Sequence, residues 1–324
     1  MWLERIVCAP LFFLFLSCSD SRITEVEEAT GGDETPSVPV TFRTDAGTDM
    51  SLYIFRKKGD LFLYRSEINK GWTTDGRLTI QMDKGDYQFL CVKSDKQGIE
   101  LSPSPLQTDT PLEGVYFKAL PDPAYEGRIL PVNELFLPEP DAATRVYSIQ
   151  GGETVAYTLK RVVSQLILML KRGREDAAGY VPDPYPAGEN ILQTIRKIEV
   201  TIAGAGASAN IYGTQGAATL STTLSEANKD SLTQEGFAVF TGPFFFPPSS
   251  TAPVEVSVSI YPADEAQGKT IRKVVNGAVK KNEQLCVVLW IGADTQPSED
   301  WLLGLTVDTR PISEETEGDK GLWQ

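Results

Sequence analysis

The sequence contains no histidine. That single absence removes Ser-His-Asp and Cys-His nucleophile systems, HExxH zinc sites and most imidazole metal centres. Cysteine is scarce, at four residues. Cys8 lies in an N-terminal apolar run and Cys18 just after it, so only Cys91 and Cys286 fall in the body of the chain. Both sit in apolar, strand-like runs, YQFLCV and QLCVVLWI. This makes neither a disulfide scaffold nor a CxxC zinc pattern. Two separate thiols packed as small hydrophobes is the simpler reading; a bridge between them would need a short separation that sequence does not give. Basic residues are also short, 30 against 44 acidic ones, for a net charge of −14. Nucleic acid is therefore not expected as a partner, because phosphate binding needs clustered Lys and Arg. No Walker loop, GxSxG elbow or EF-hand spacing occurs. Residues 204–209 (GAGASA) fit G-x-G-x-x-A on paper, but NIYG follows instead of a helix start, and no βαβ alternation surrounds them. No cofactor, metal ligand set or catalytic residue is predicted, and an enzyme is not expected.

Long hydrophobic runs are likewise few. Residues 6–16 (IVCAPLFFLFL) form one of about eleven, where a membrane-spanning helix needs about twenty. Arg5 precedes this run, and Ser17 and Cys18 end it. That order predicts a secretory signal peptide over residues 1–17 with a lipobox-like cysteine at its end. Cys18 is the candidate lipidation site, and two or three acyl chains there would give stable membrane anchoring. Residues 18–37, with five carboxylates between positions 25 and 34, read as a solvated acidic tether. A cut near Ser17 that leaves Cys18 incidental is the alternative.

From Val38 the pattern turns β-like, and 41% apolar content suffices for sizeable cores. VPVTFR alternates; residues 52–57 are apolar on both faces; residues 61–68 return from a Lys-Gly-Asp turn; residues 77–82 and 87–92 flank a second. Five short strands with Gly-containing turns predict an antiparallel sandwich. Residues 94–145 are crowded with proline and are predicted as a surface excursion, with an edge strand at 114–119 or 135–137. Residues 154–172 fit both a helix stripe and a long strand; their β-branched density favours the strand. Strands follow at 195–202, 254–261 (the cleanest alternation), 283–291 and 301–308, with a short helix candidate at 224–232. The fold class expected is all-β, in two halves, 38–150 and 151–310, with an acidic tail at 311–324.

Aromatic residues on turns offer candidate contacts to a partner or a glycan: Trp72, in a Gly-Trp-Thr-Thr turn, and the Phe244, Phe245, Phe246 cluster before two prolines. The competing reading places the phenylalanines in a loop folded over the core.

The order of these elements carries a resemblance. LYIFRKKGDLFLYRSE, LTIQMDKGDYQFLCVKSD, YTLKRVVSQLILML, IRKIEVTIAGA and a late NEQLCVVLWI, behind a lipobox and an acidic spacer, together resemble the FimB-like fimbrial anchor and minor subunits of type V pili. The resemblance implies two transthyretin-like antiparallel β-sandwich domains in tandem. It also implies an outer-membrane lipoprotein assembling with other fimbrial subunits by β-strand addition. Shaft subunits of that family lose an N-terminal strand to an arginine-specific protease, which makes Arg43 and Arg22 candidate processing sites. A shaft or tip subunit is the alternative within the family, and a β-sandwich surface glycan-binding lipoprotein the alternative outside it.

Overall fold

The computed structural model describes residues 36–45, 47–225, 229–249, 252–263, 268–275, 279–292 and 302–312. The described residues form one compact unit. The five strands read from the first alternations are present: β1 (Ser37–Thr44), β2 (Met50–Lys58), β3 (Leu61–Ile68), β4 (Arg77–Asp83) and β5 (Gly85–Lys93). Short strands follow: β6 (Ile99–Ser102), β7 (Tyr116–Ala119), β8 (Arg128–Ile129), β9 (Phe136–Pro138) and β10 (Tyr147–Ile149). Next come β11 (Thr154–Tyr157), β12 (Leu159–Arg161), β13 (Ser164–Asp176), β14 (Gly179–Pro182), β15 (Ile195–Ala205), β16 (Ser208–Asn210) and β17 (Gly213–Gln215). The last are β18 (Ala218–Leu224), β19 (Ser231–Leu232), β20 (Ala238–Phe245), β21 (Val254–Pro262), β22 (Lys269–Val275), β23 (Glu283–Gly292) and β24 (Leu302–Pro311). Among the described residues the only α-helix is one turn, Pro140–Ala143, and no helix is long and apolar enough to cross a membrane.

Two sandwiches result. In the first, the sheet β11-β1-β4 faces the sheet β12-β9-β5-β2-β3, to which β10 adds on β5. Between them lie Val40, Phe42, Leu52, Ile54, Leu78, Met82, Phe89, Cys91, Val155 and Tyr157, all buried. In the second, β19-β20-β13-β23-β24 faces β22-β21-β15-β18-β8. Its interior takes Leu166, Leu168 and Leu170 from one sheet and Val200, Ile202, Val256 and Val258 from the other. Alternation sets this directly: β21 buries every second residue, as a strand with one covered face must. β2 and β5 are covered on both faces. Leu52 and Ile54 point into the first core, while Tyr53 and Phe55 join the larger cluster behind it.

Three expectations are corrected. Residues 154–172 are three strands, not one: β11 pairs with β1, β12 with β9, and β13 with β20 and β23, so the chain changes sheet at residues 158 and 162–163. The 94–145 excursion is not merely superficial. Its Leu112, Val115, Phe117, Ile129, Val132 and Leu135 are buried in the large core, and β7 and β8 pair with β16 and β18. The 224–232 helix candidate is strand at both described ends, Leu224 closing β18 and Ser231–Leu232 forming β19.

Candidate assembly site

β1 lies in the middle of its sheet. It runs antiparallel to β4, from Ser37↔Asp83 to Arg43↔Arg77, and parallel to β11, from Thr41↔Thr154 to Thr44↔Tyr157. Val40 and Phe42 are fully buried, while Pro39 and Arg43 are exposed. Pro39 has no amide hydrogen to contribute, and its carbonyl accepts from the Gly152 amide at 2.9 Å. The Thr41 amide donates to the Glu153 carbonyl at 3.0 Å. Phe42 meets Phe89 edge-on, with ring centroids 4.9 Å apart. Burying one such side chain contributes about 1.5–3 kcal/mol. The seat is closed by two turns. At its start the Glu153 carboxylate accepts from the Gln150 and Gly151 amides at 2.7–2.9 Å, and these bonds hold its pKa below the usual range. At its end Gly76, with φ +72°, donates no side chain where a Cβ would overlap the Thr44 carbonyl oxygen.

The other predicted residues are scattered. Cys18 and Arg22 lie outside the described residues. Arg43 is exposed on β1, opposite Arg77 of β4. Trp72 is half-buried against the first core. Phe245 and Phe246 are fully buried in the second core and show no ring face to solvent; Phe244 is half-buried. The Phe244 carbonyl accepts from the Val132 amide at 3.1 Å and the Phe246 carbonyl from the Gly206 amide at 2.9 Å, so this triplet fastens two distant loops. Trp72 and the phenylalanines therefore belong to different clusters. Cys91 and Cys286 are both free and buried; burial pushes the Cys91 thiol up to about 12 and also raises that of Cys286. The 204–209 glycine segment joins β15 to β16, strand to strand, with no helix at which a phosphate would sit. Among the described residues no group of three His, Cys, Asp or Glu is placed to hold a metal. A polar cleft beside Phe244 had no local signature, because the segments lining it are far apart in sequence.

A family described as fimbrillin-A associated anchor proteins Mfa1 and Mfa2 matches residues 33–276, from before β1 to the end of β22. The chain belongs to this family. The match takes in the whole β1 seat. A candidate adhesin from Bacteroides thetaiotaomicron has a similar structure, with TM-score 0.51 and 12% identity over 87% of this chain and 99% of that one. A candidate polysaccharide-binding protein from the same organism gives TM-score 0.50 and 12% identity, over 86% and 99% of the two chains. The fimbrial anchor protein Mfa2 from Porphyromonas gingivalis gives 0.46 and 11%, over 85% and 99%. The first two establish a shared fold. No curated protein sequence matches the chain.

Proposed function

We propose that this fimbrillin-A associated anchor family member is the lipid-anchored base subunit of a fimbrium. Residues 1–17 direct export. Cys18 becomes the acylated first residue at the outer membrane, and the acidic stretch to residue 37 carries the body away from the bilayer. Two acyl chains suffice for stable attachment where one does not. The observation that carries this reading is that β1, directly following the tether, is held by its own chain between β4 and β11. An anchor of this kind keeps its first strand and thus stays covalently joined to its lipid. The body is two transthyretin-like sandwich lobes, the first completed by β11 and β12, and it receives other fimbrial subunits by strand addition.

The same seat supports the second reading, a shaft or tip subunit. Cleavage after Arg43 would remove most of β1, leave the facing edges of β4 and β11 unpaired, and open a slot over Leu78, Phe89, Val155 and Tyr157. A partner's strand would satisfy those backbone groups and fill the apolar slot. Cell fractionation of the Cys18→Ala chain separates these readings from a freely exported protein. The anchor reading expects the variant and its fimbriae to appear in the medium. Retention of both on the cell at parent levels contradicts it.

A further inference from the structure

We propose that the cleft where β5, β9 and the end of β20 meet is a saccharide-binding pocket for one or two uncharged sugar rings. It goes beyond the anchoring role and does not depend on it. The cleft holds about 300 Å³ and is lined by Asp49, Lys93, Asp95, Glu134, Phe136 and Phe244, together with Ser94 and Asn133. That volume is at the small end for ligand pockets, which run from about 300 to 1,000 Å³. It lies between the two sandwiches, since Phe136 packs on the first core and Phe244 on the second. Such junctions are common places for ligands.

The walls are fixed in advance. The Asn133 amide donates to the Gln97 carbonyl at 3.0 Å, and its side-chain amide reaches Asp95 at 2.5 Å and Gln97 at 2.8 Å. The Val132 amide holds the Phe244 carbonyl at 3.1 Å. Gly98, at φ +72°, lets the 94–98 turn lie directly against the Pro131 carbonyl. Little ordering cost is then left for a ligand.

The chemistry selects the ligand class. Three carboxylates disfavour a phosphate or any other anion. One cation position is already taken: Arg161 binds Glu134 at 2.7–2.8 Å, and the Arg161 guanidinium and Lys93 ammonium lie 5.1 and 5.4 Å from the Phe136 ring centre, so a further cation would enter beside two positive charges. What remains is a set of carboxylate and amide acceptors, an ammonium and a hydroxyl as donors, and the half-buried Phe244 at the wall. Closely spaced neutral hydroxyls both donate and accept, and a sugar's C–H face packs on an aromatic ring.

Saturation-transfer NMR on the full chain, with the methyl glycosides of glucose, galactose, mannose and N-acetylglucosamine, tests this. At least one glycoside is expected to bind saturably. Glu134→Gln and Asp95→Asn, each with thermal unfolding at the parent's midpoint so that the Arg161 and Asn133 contacts of the wall are not what is lost, should each weaken it about tenfold, the loss of one charge-assisted hydrogen bond. Phe244→Leu, which keeps the core filled, should weaken it as well. If that variant unfolds by circular dichroism, the two carboxylate variants decide the matter. No saturable signal from any of the four overturns the proposal. Unchanged binding in the carboxylate variants, or methylguanidinium displacing the sugar more strongly than another glycoside does, overturns it equally.

Discussion

Truncating Phe42 to alanine tests the physical basis of the β1 seat. Phe42 is fully buried between the two sheets of the first sandwich and meets Phe89 edge-on at 4.9 Å. Phe-to-Ala changes at such positions cost about 3–5 kcal/mol, the lost transfer energy plus that of the cavity left behind. The upper part of that range is expected here. β1 is hydrogen-bonded along both edges, so the backbone cannot move inward to close the hole without breaking one ladder. Guanidinium denaturation followed by tryptophan fluorescence reads the change as a lower midpoint at unchanged slope. The neighbouring Arg43→Ala is the control: the side chain is exposed, and its stability should stay within about 0.5 kcal/mol of the parent. A loss below about 1 kcal/mol for Phe42→Ala would refute the reasoning, because β1 would then not be an integral wall of the core.

Gly76→Ala places a Cβ against the Thr44 carbonyl at φ +72° and should destabilise the chain by about 1–3 kcal/mol; thermal unfolding within error of the parent would show that the turn can give. Cys91 and Cys286 should resist iodoacetamide at pH 8 in the native chain and both react in denaturant, as peptide mass spectrometry can resolve; native labelling of Cys91 would contradict a thiol buried in the first core with its pKa near 12. Glu153 has its folded pKa lowered from the ordinary 4.5, first by the Gln150 amide. Its stabilising contribution is therefore complete above pH 4.5 and is lost as pH falls through the lower folded value. Glu153→Gln should flatten that acid-side slope in a stability-versus-pH series, and a slope identical to the parent's would count against this assignment.

The strands with a single clear period were legible from sequence. β1 to β5 and β21 announce themselves by alternation and by turns such as Lys-Gly-Asp at 58–60. The buried character of β2 was also visible, since a strand apolar on both faces is one covered on both. Residues 154–172 misled because Val, Ile, Thr and Tyr suit β structure throughout. The change of sheet after Tyr157 and again after Arg161 is decided by partners far away, in β1, β9, β20 and β23. The 94–145 segment misled for the opposite reason. Its prolines interrupt every run, yet isolated residues such as Leu112, Phe117 and Val132 fill gaps in the core without needing long strands. The site was legible only in part. VPVTFR could be read as a strand, and the reading that folds the phenylalanines over the core agrees with the burial of Phe245 and Phe246, but that β11 would flank β1 in parallel depended on long-range pairing.

The central claim is that this polypeptide reaches the cell surface held by lipid on a cysteine just ahead of its first strand. Mass spectrometry of the mature N-terminal peptide from cell envelopes measures this directly. The account predicts a chain beginning at Cys18 and carrying acyl mass, with residues 19–43 intact behind it. An unmodified chain beginning elsewhere, at Thr44 above all, would contradict it.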